Sequence, residues 1–154
     1  MRYRKAKIED IKRLVEIENL SFNYDQLNNR KFRHFIQKGH SDLIVQIEGK
    51  QITAYGLLLY RHGSSFARLY SIAVHKDFYG QGLGEKIMRE LEFFVKKHNR
   101  SVIRLEVKVS NNNAIKLYKK IGYVQFSIKQ AYYDNNEDAL CLQKNLNIKL
   151  NIIN

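Results

Sequence analysis

Two apolar periods alternate in blocks along this chain. Ile11, Leu14, Val15 and Ile17 recur at helical spacing within Glu9–Leu20. Leu27, Phe32, Phe35 and Ile36 give a second, weaker helical stretch over Asp25–Gln37. Leu43–Ile47 and Ile52–Tyr60 read as strands joined by a hairpin turn at Glu48-Gly49-Lys50, and Phe66–Val74 as a third. Leu83, Ile87, Met88, Leu91, Phe94 and Val95 mark an amphipathic helix. Val102–Val109 alternates, with Ile103, Leu105, Val107 and Val109 on one face and Arg104, Glu106 and Lys108 on the other. Ala114, Ile115, Leu117, Tyr118 and Ile121 form a further helix closed by Gly122. Tyr123–Tyr133 and Ala139–Leu146 are two last strands around the polar turn Asp134-Asn135-Asn136. With Arg2–Lys7 extended at the start, the order predicts a mixed α/β fold: one central sheet of about seven strands flanked by about four helices. The expected domain is 1–146, and 147–154 is expected to fray.

Composition narrows this picture modestly. A chain of 154 residues, 44% hydrophobic and 27% charged, suits one domain with a sizeable core. No stretch approaches the roughly 20 apolar residues of a membrane span, and the basic start Met1-Arg2-Tyr3-Arg4-Lys5 leads into no apolar secretory segment, so a cytoplasmic location with no membrane partner is expected. The single cysteine, Cys141, excludes an internal disulfide framework. His34, His40, His62, His75 and His98 show no metal-ligand spacing, so no metal is expected. The net charge of +12 implies attraction to anions such as nucleic acid, ribosome, acidic peptide or a phosphorylated cofactor; a solvated basic surface explains it equally well.

The chemistry is concentrated in Tyr79-Gly80-Gln81-Gly82-Leu83-Gly84, between a strand and a helix. Glycines let backbone N–H groups converge, and a helix N-terminus adds partial positive charge, which together seat phosphates. A Walker loop is excluded because Glu85 follows Gly84, and a dinucleotide fingerprint because Ile87 stands where its third glycine belongs. A plain glycine-rich turn remains the alternative.

That loop, following Leu69-Tyr70-Ser71-Ile72-Ala73-Val74, resembles the acetyl-CoA motif of the GNAT superfamily of N-acetyltransferases. So do Glu106-Val107, then Ser110-Asn111-Asn112-Asn113-Ala114-Ile115-Lys116-Leu117-Tyr118, then Gly122-Tyr123. Within the superfamily the sequence is most similar to the RimI-like protein Nα-acetyltransferases, a similarity that extends to Tyr132-Tyr133 and Glu137-Asp138-Ala139-Leu140. The resemblance implies a single GNAT domain with acetyl-CoA as cosubstrate. It implies cofactor contacts from Ile72, Ala73 and Val74, from Tyr79, Gly80, Gln81, Gly82, Leu83, Gly84 and Glu85, and from Asn111 and Tyr118. Asn111 also reads as a helix N-cap. The family loop usually opens with Gln or Arg where this chain has Tyr79; the backbone donors survive that change, and Lys76 and Lys86 are the nearby cations.

Acetyl transfer to an amine requires loss of the amine proton, stabilisation of the thioester oxygen and protonation of the departing thiolate. Glu106, a carboxylate on the polar face of an apolar strand, is the expected base, and the resemblance makes Tyr118 the expected acid. The alternatives are a solvated carboxylate paired with Arg104 or Lys108, and a tyrosine that only packs. The resemblance also places Tyr132 and Tyr133, at the end of a strand, and Phe22 and Tyr24, after the first helix, around the acceptor. Consecutive strand residues point to opposite faces, so one tyrosine of the pair would face the cleft. At pH 7 deprotonation costs about 1 kcal/mol for an α-amine and about 4.6 kcal/mol for lysine, which favours a protein N-terminus as acceptor. Ribosome association, and a monomer or homodimer, complete the expectation. A lysine or small-amine acetyltransferase, or a ribosome- or nucleic-acid-binding module on the same fold, are the rivals.

Overall fold

The computed structural model describes residues 1–22 and 26–147. Strands β1 (Arg2–Lys5), β2 (Ser41–Glu48), β3 (Gln51–Tyr60), β4 (Phe66–Val74), β5 (Val102–Lys108), β6 (Val124–Lys129) and β7 (Ala139–Asn145) form a seven-stranded sheet in the order β1-β2-β3-β4-β5-β7-β6. Helices α1 (Ile11–Ser21) and α2 (Asn29–Gln37) pack on one face, and α3 (Leu83–Lys97) and α4 (Asn112–Lys120) on the other. Strand alternation separates two cores. Val45, Tyr55 and Leu57 pack with Ile11, Leu14 and Phe32. Ala54, Leu58, Ile103 and Leu105 pack with Ile87, Met88, Leu91 and Tyr118.

Helix α3 lies very close on β3 because Gly56 lacks a side chain: a Cβ there would stand 2.5 Å from Leu91 Cδ1. Buried Glu92 on α3 accepts from Lys144 Nζ of β7 at 2.6 Å, tying the helix to the far side of the sheet.

Neighbouring strands pair antiparallel except β4 and β5, whose parallel pairing runs only from Phe66↔Val102 to Leu69↔Leu105. Beyond it β4 continues alone on that side to Val74, while β5 stays paired with β7 as far as Lys108. A bulge at Tyr70, the unmatched residue between Leu69 and Ser71, bends β4 where the strands part. The sheet therefore opens into a cleft at its centre, with Glu106 one residue past the last β4–β5 pair.

Several expected boundaries shift. The first strand ends at Lys5, because Lys7 starts a 3-10 turn whose Asp10 carboxylate accepts from the Lys7 N–H at 2.7 Å. Helix α2 starts at Asn29, since Asn28 caps it by accepting from the Lys31 N–H at 2.9 Å. Strand β7 ends at Asn145, and Val109 lies past the end of β5, 40% exposed, not on the core face. The larger correction concerns Tyr123–Tyr133: β6 ends at Lys129, and Ala131 with φ 47° turns the chain, so Tyr132 and Tyr133 occupy a loop. Their rings meet edge to face at 5.1 Å and do not point to opposite faces. Tyr24, the Asp25 start of the second helix, and all but Asn147 of the expected tail lie outside the described residues.

Candidate active site

A short 3-10 turn, Lys76–Phe78, leads from β4 into the glycine loop. Its cap is buried His75, whose Nδ1 accepts from the Asp77 N–H at 3.1 Å. Gly80 and Gly82 then take φ of 79° and 73°, the left-handed region that glycine reaches without steric cost. A Cβ at either would meet no atom within 4 Å, so this stretch faces open space. The first-turn N–H groups of α3, from Leu83, have no intrahelical partner. Gly84 differs: a Cβ there would stand 3.2 Å from Leu117 Cδ2, so it serves the packing of α3 on α4. Together they wall a cavity of about 280 Å³ lined by Val74, Tyr79, Gly80, Gly82, Leu117 and Lys120, among others. An unpaired β4 edge, a left-handed glycine loop and a helix N-terminus facing open space are the elements that an extended arm ending in a pyrophosphate requires.

The side chains around that loop hold a surprise. Neither Lys76 nor Lys86 lines the cavity; Lys120 of α4 does. Lys120 Nζ lies 3.1 Å from Glu85 Oε1, and Arg89 Nε lies 3.6 Å from Glu85 Oε2. Hydrogen bonding and charge from Lys120 hold the Glu85 carboxyl below its ordinary pKa. Tyr79 is 58% exposed. Asn111 caps α4, its Oδ1 accepting from the Ala114 N–H at 3.2 Å, as the capping alternative expects.

On the opposite face of the sheet, the polar side of β5 and β7 floors a second cavity of about 450 Å³. Glu106 faces it. Its Oε2 accepts from Arg68 Nε at 3.2 Å and its Oε1 from Lys129 Nζ at 2.8 Å. The carboxylate is thus paired with Arg68 of β4 and Lys129 of β6. Each oxygen keeps a further acceptor site, since an ionised carboxylate accepts about four hydrogen bonds in all. Arg68 Nη2 also donates to Tyr132 Oη at 2.8 Å, and Lys129 Nζ lies 5.0 Å over the Tyr132 ring. Arg68 and Lys129 are the residues that sequence reasoning missed; the visible trace of Arg68 was a polar residue between Ala67 and Leu69 on an apolar strand.

Electrostatics links the expected catalytic pair through the tyrosine loop. Burial pushes the Tyr133 phenol well up, helped by the charge of Glu106. Burial also pushes up the Tyr118 phenol, with Tyr133 next in effect, so Tyr118 keeps its proton across the physiological range. Tyr118 is 6% exposed, its ring 5.8 Å from that of Tyr123. Cys141, opposite Glu106 in the β5–β7 register, is a buried thiol pushed up by burial, unsuited to nucleophilic attack.

Leu27 is anchored to α1 and β3 through one buried carboxylate. Glu18, buried, accepts from the Leu27 N–H at 2.7 Å and from the Tyr55 hydroxyl, which lies 2.9 Å from Ser71 Oγ. Burial raises the Glu18 pKa. Phe22, half-buried, ends α1 and packs into the α1–α2 core. The structure thus brings Tyr132 to Glu106 through their shared partner Arg68, and the cavity that Glu106 lines is separate from the one at the glycine loop.

Known proteins give this geometry its context. A Bacillus subtilis protein named as a candidate ribosomal protein bS18-alanine N-acetyltransferase is 30% identical over 146 residues, covering 94% of this chain and 95% of its own. The crystal structure of the Escherichia coli ribosomal-protein-S18-alanine N-acetyltransferase superposes with a TM-score of 0.85 at 22% identity, over 99% of this chain and 98% of that one. A Salmonella typhimurium structure described as an acetyltransferase with its cofactor acetyl-CoA superposes with a TM-score of 0.78 at 18% identity, over 97% and 95% of the two chains. The acetyltransferase (GNAT) domain profile matches residues 10–139, from the last residue of the 3-10 turn before α1 to the first residue of β7. The parted strands, the glycine loop at a helix N-terminus and this match over most of the chain agree: the protein is a member of the GNAT acetyltransferase family.

Proposed function

We propose that this chain acetylates the N-terminal α-amine of a protein, a ribosomal protein being the first candidate, within a cytoplasmic single domain spanning 1–146. The observation that carries the reading is Glu106: a carboxylate with spare acceptor sites, one residue past the last β4–β5 pair and facing an open trough. The relatives named for bS18-alanine acetylation support the acceptor class.

Acetyl-CoA, when bound, supplies the acetyl group as a thioester. Ile72, Ala73 and Val74 on the free edge of β4 bind its arm through the main chain. The loop from Tyr79 through Gly80, Gln81, Gly82, Leu83 and Gly84 to Glu85 holds the phosphates, with Lys120 as the nearby cation. Asn111 contacts the arm while capping α4. A backbone N–H near Val74 stabilises the developing negative charge on the carbonyl oxygen.

Glu106 takes the amine proton, through a water bound at a free oxygen site. Arg68 and Lys129, which flank it, disfavour an ammonium in the trough. An α-amine sheds its proton for about 1 kcal/mol at pH 7, a lysine for about 4.6 kcal/mol, so this environment selects the α-amine. Tyr118 donates its phenolic proton to the departing sulfur. Tyr132, Tyr133, Phe22 and Tyr24 hold the first acceptor residues.

The test is incubation with acetyl-CoA and two peptide sets, one with free N-termini and no lysine, one with blocked N-termini and lysine, read by mass spectrometry. Acetylation confined to the first set is expected. Acetylation confined to the second would overturn the acceptor assignment.

A further inference from the structure

Arg104 lines the trough, and neither the cradle nor the Glu106 pairings employ it. It lies on the same face of β5 as Glu106, beside that carboxylate's paired cations. Its guanidinium is held between two aromatic rings, with Cζ 4.4 Å from the Phe66 centroid and 5.0 Å from that of Phe126. Phe126 reaches this place because it is the unmatched residue of a bulge in β6, between Gln125↔Leu142 and Ser127↔Cys141. Arg104 Nε donates to the neutral Gln143 Oε1 at 3.1 Å. Among the described residues no carboxylate lies within ion-pair distance of Arg104, and its Nη groups make no hydrogen bond.

This is an unusual state for a partly buried arginine. Stacking fixes the plane and the Gln143 bond fixes the rotation, so little further freedom is lost when a ligand binds. The charge stays uncompensated in a trough whose lining sets Arg61, Arg68, Arg104 and Lys129 against the single carboxylate of Glu106. A planar guanidinium with free terminal N–H groups is matched by a carboxylate accepting in two-point fashion.

We propose that Arg104 reads an acidic side chain on the acceptor, so that this enzyme prefers peptides with Asp or Glu at the second or third residue. The proposal rests on the trough being the acceptor cleft. Residues two apart on a strand stand about 7 Å apart. An extended peptide advances about 3.3–3.6 Å per residue. An acceptor with its amine at Glu106 that runs along the trough towards the N-terminal end of β5 brings the side chain of its second or third residue to Arg104.

The experiment compares kcat/KM for paired peptides that differ only in Glu against Gln at the second or third residue, in wild type, Arg104→Leu and Arg104→Lys. Wild type is expected to favour the Glu peptide by about tenfold, mainly through KM, at low ionic strength. Arg104→Leu should bring the ratio to about one, and Arg104→Lys should restore part of it, because a point charge attracts the carboxylate without the two-point geometry. Equal use of both peptides by wild type, or a preference that survives in Arg104→Leu, overturns the proposal. Should no peptide be acetylated, the Nα-acetylation reading falls, and calorimetry of the same peptides on the coenzyme A complex decides the site by itself. Tighter binding of Glu over Gln that vanishes in Arg104→Leu supports the carboxylate site, and equal binding removes it.

Discussion

The glycine-loop cradle and the Glu106 trough share no lining residue: the cradle takes Val74 from the free end of β4, the trough Phe66 and Arg68 from its paired half. They are made of different material. The cradle is main chain: two glycines with positive φ, the free edge of a strand and the first turn of a helix. The trough is lined from five strands, with Tyr60 from β3, Arg68 from β4, Glu106 from β5, Lys129 from β6 and Cys141 from β7. A main-chain site tolerates side-chain exchange and fails when backbone conformation is lost. A side-chain site fails one functional group at a time. The two should therefore break differently under mutation.

The largest effect is expected at Glu106. Glu106→Gln keeps an oxygen for Arg68 or Lys129 but cannot take a proton, so kcat at pH 7 should fall by about 10²–10⁴-fold with acetyl-CoA affinity unchanged. Raising the pH should recover much of the loss for an α-amine acceptor, which deprotonates unaided near pH 8; a lysine acceptor would need two to three further units. A pH–rate profile of the variant checks both statements, and a wild-type rate at pH 7 would reduce Glu106 to an ion-pair partner. Next comes Tyr118→Phe. Its phenol is buried and held protonated, so its removal should lower kcat by about 10²-fold while leaving the fold and most cofactor affinity intact. Stopped-flow measurement of coenzyme A release at constant pH reads this directly; an unchanged rate would leave Tyr118 only its packing against Tyr123.

The same difference in material explains what could be read from the sequence. The cradle is local: Gly80, Gly82 and the start of α3 lie within one short stretch, so a pattern of residues discloses it, and the alternation of β5 placed Glu106 on the correct face. The trough is non-local. Nothing in the sequence brings Arg68 and Lys129 to one carboxylate, because that requires the strand order β4-β5-β7-β6, in which the last two strands reverse their chain order. The tyrosine pair was misread for a related reason. Alternation over Tyr123–Tyr133 looks like one strand, but β6 is an edge strand exposed along its whole length, with no core to extend it past Lys129. Gly84 is a third case: its neighbour Leu117 on α4 gives it, beside its place in the loop, a packing role that only the tertiary structure displays.

A smaller effect than that of the catalytic pair is expected from Gly82→Val. The left-handed φ of 73° costs a β-branched residue about 1–2 kcal/mol, and the backbone should relax away from the geometry that converges the N–H groups. Acetyl-CoA affinity should fall about tenfold or more at every ionic strength, because the lost interaction is conformational. Calorimetry on the folded variant measures this, and unchanged affinity would remove the loop from the cofactor site.

The smallest effect, and the one that best sharpens the contrast, is expected at Lys120. Its side chain lines the cradle but is 74% exposed and pairs with Glu85, so its charge acts on phosphates through solvent and in competition with a carboxylate. Lys120→Gln should weaken acetyl-CoA only about threefold at low ionic strength, and the difference should disappear near 1 M salt, where the screening length falls to about 3 Å. Glu85→Gln should act in the opposite direction under the same conditions, because it frees Lys120 and removes a negative charge beside the phosphates, while the Glu85 backbone N–H is retained. Titrations of wild type and both variants at two salt concentrations give the comparison with Gly82→Val. If the lysine variant proves as damaging as the glycine variant, and remains so at high salt, the cradle depends on a side chain after all and the distinction between the two halves of the site collapses.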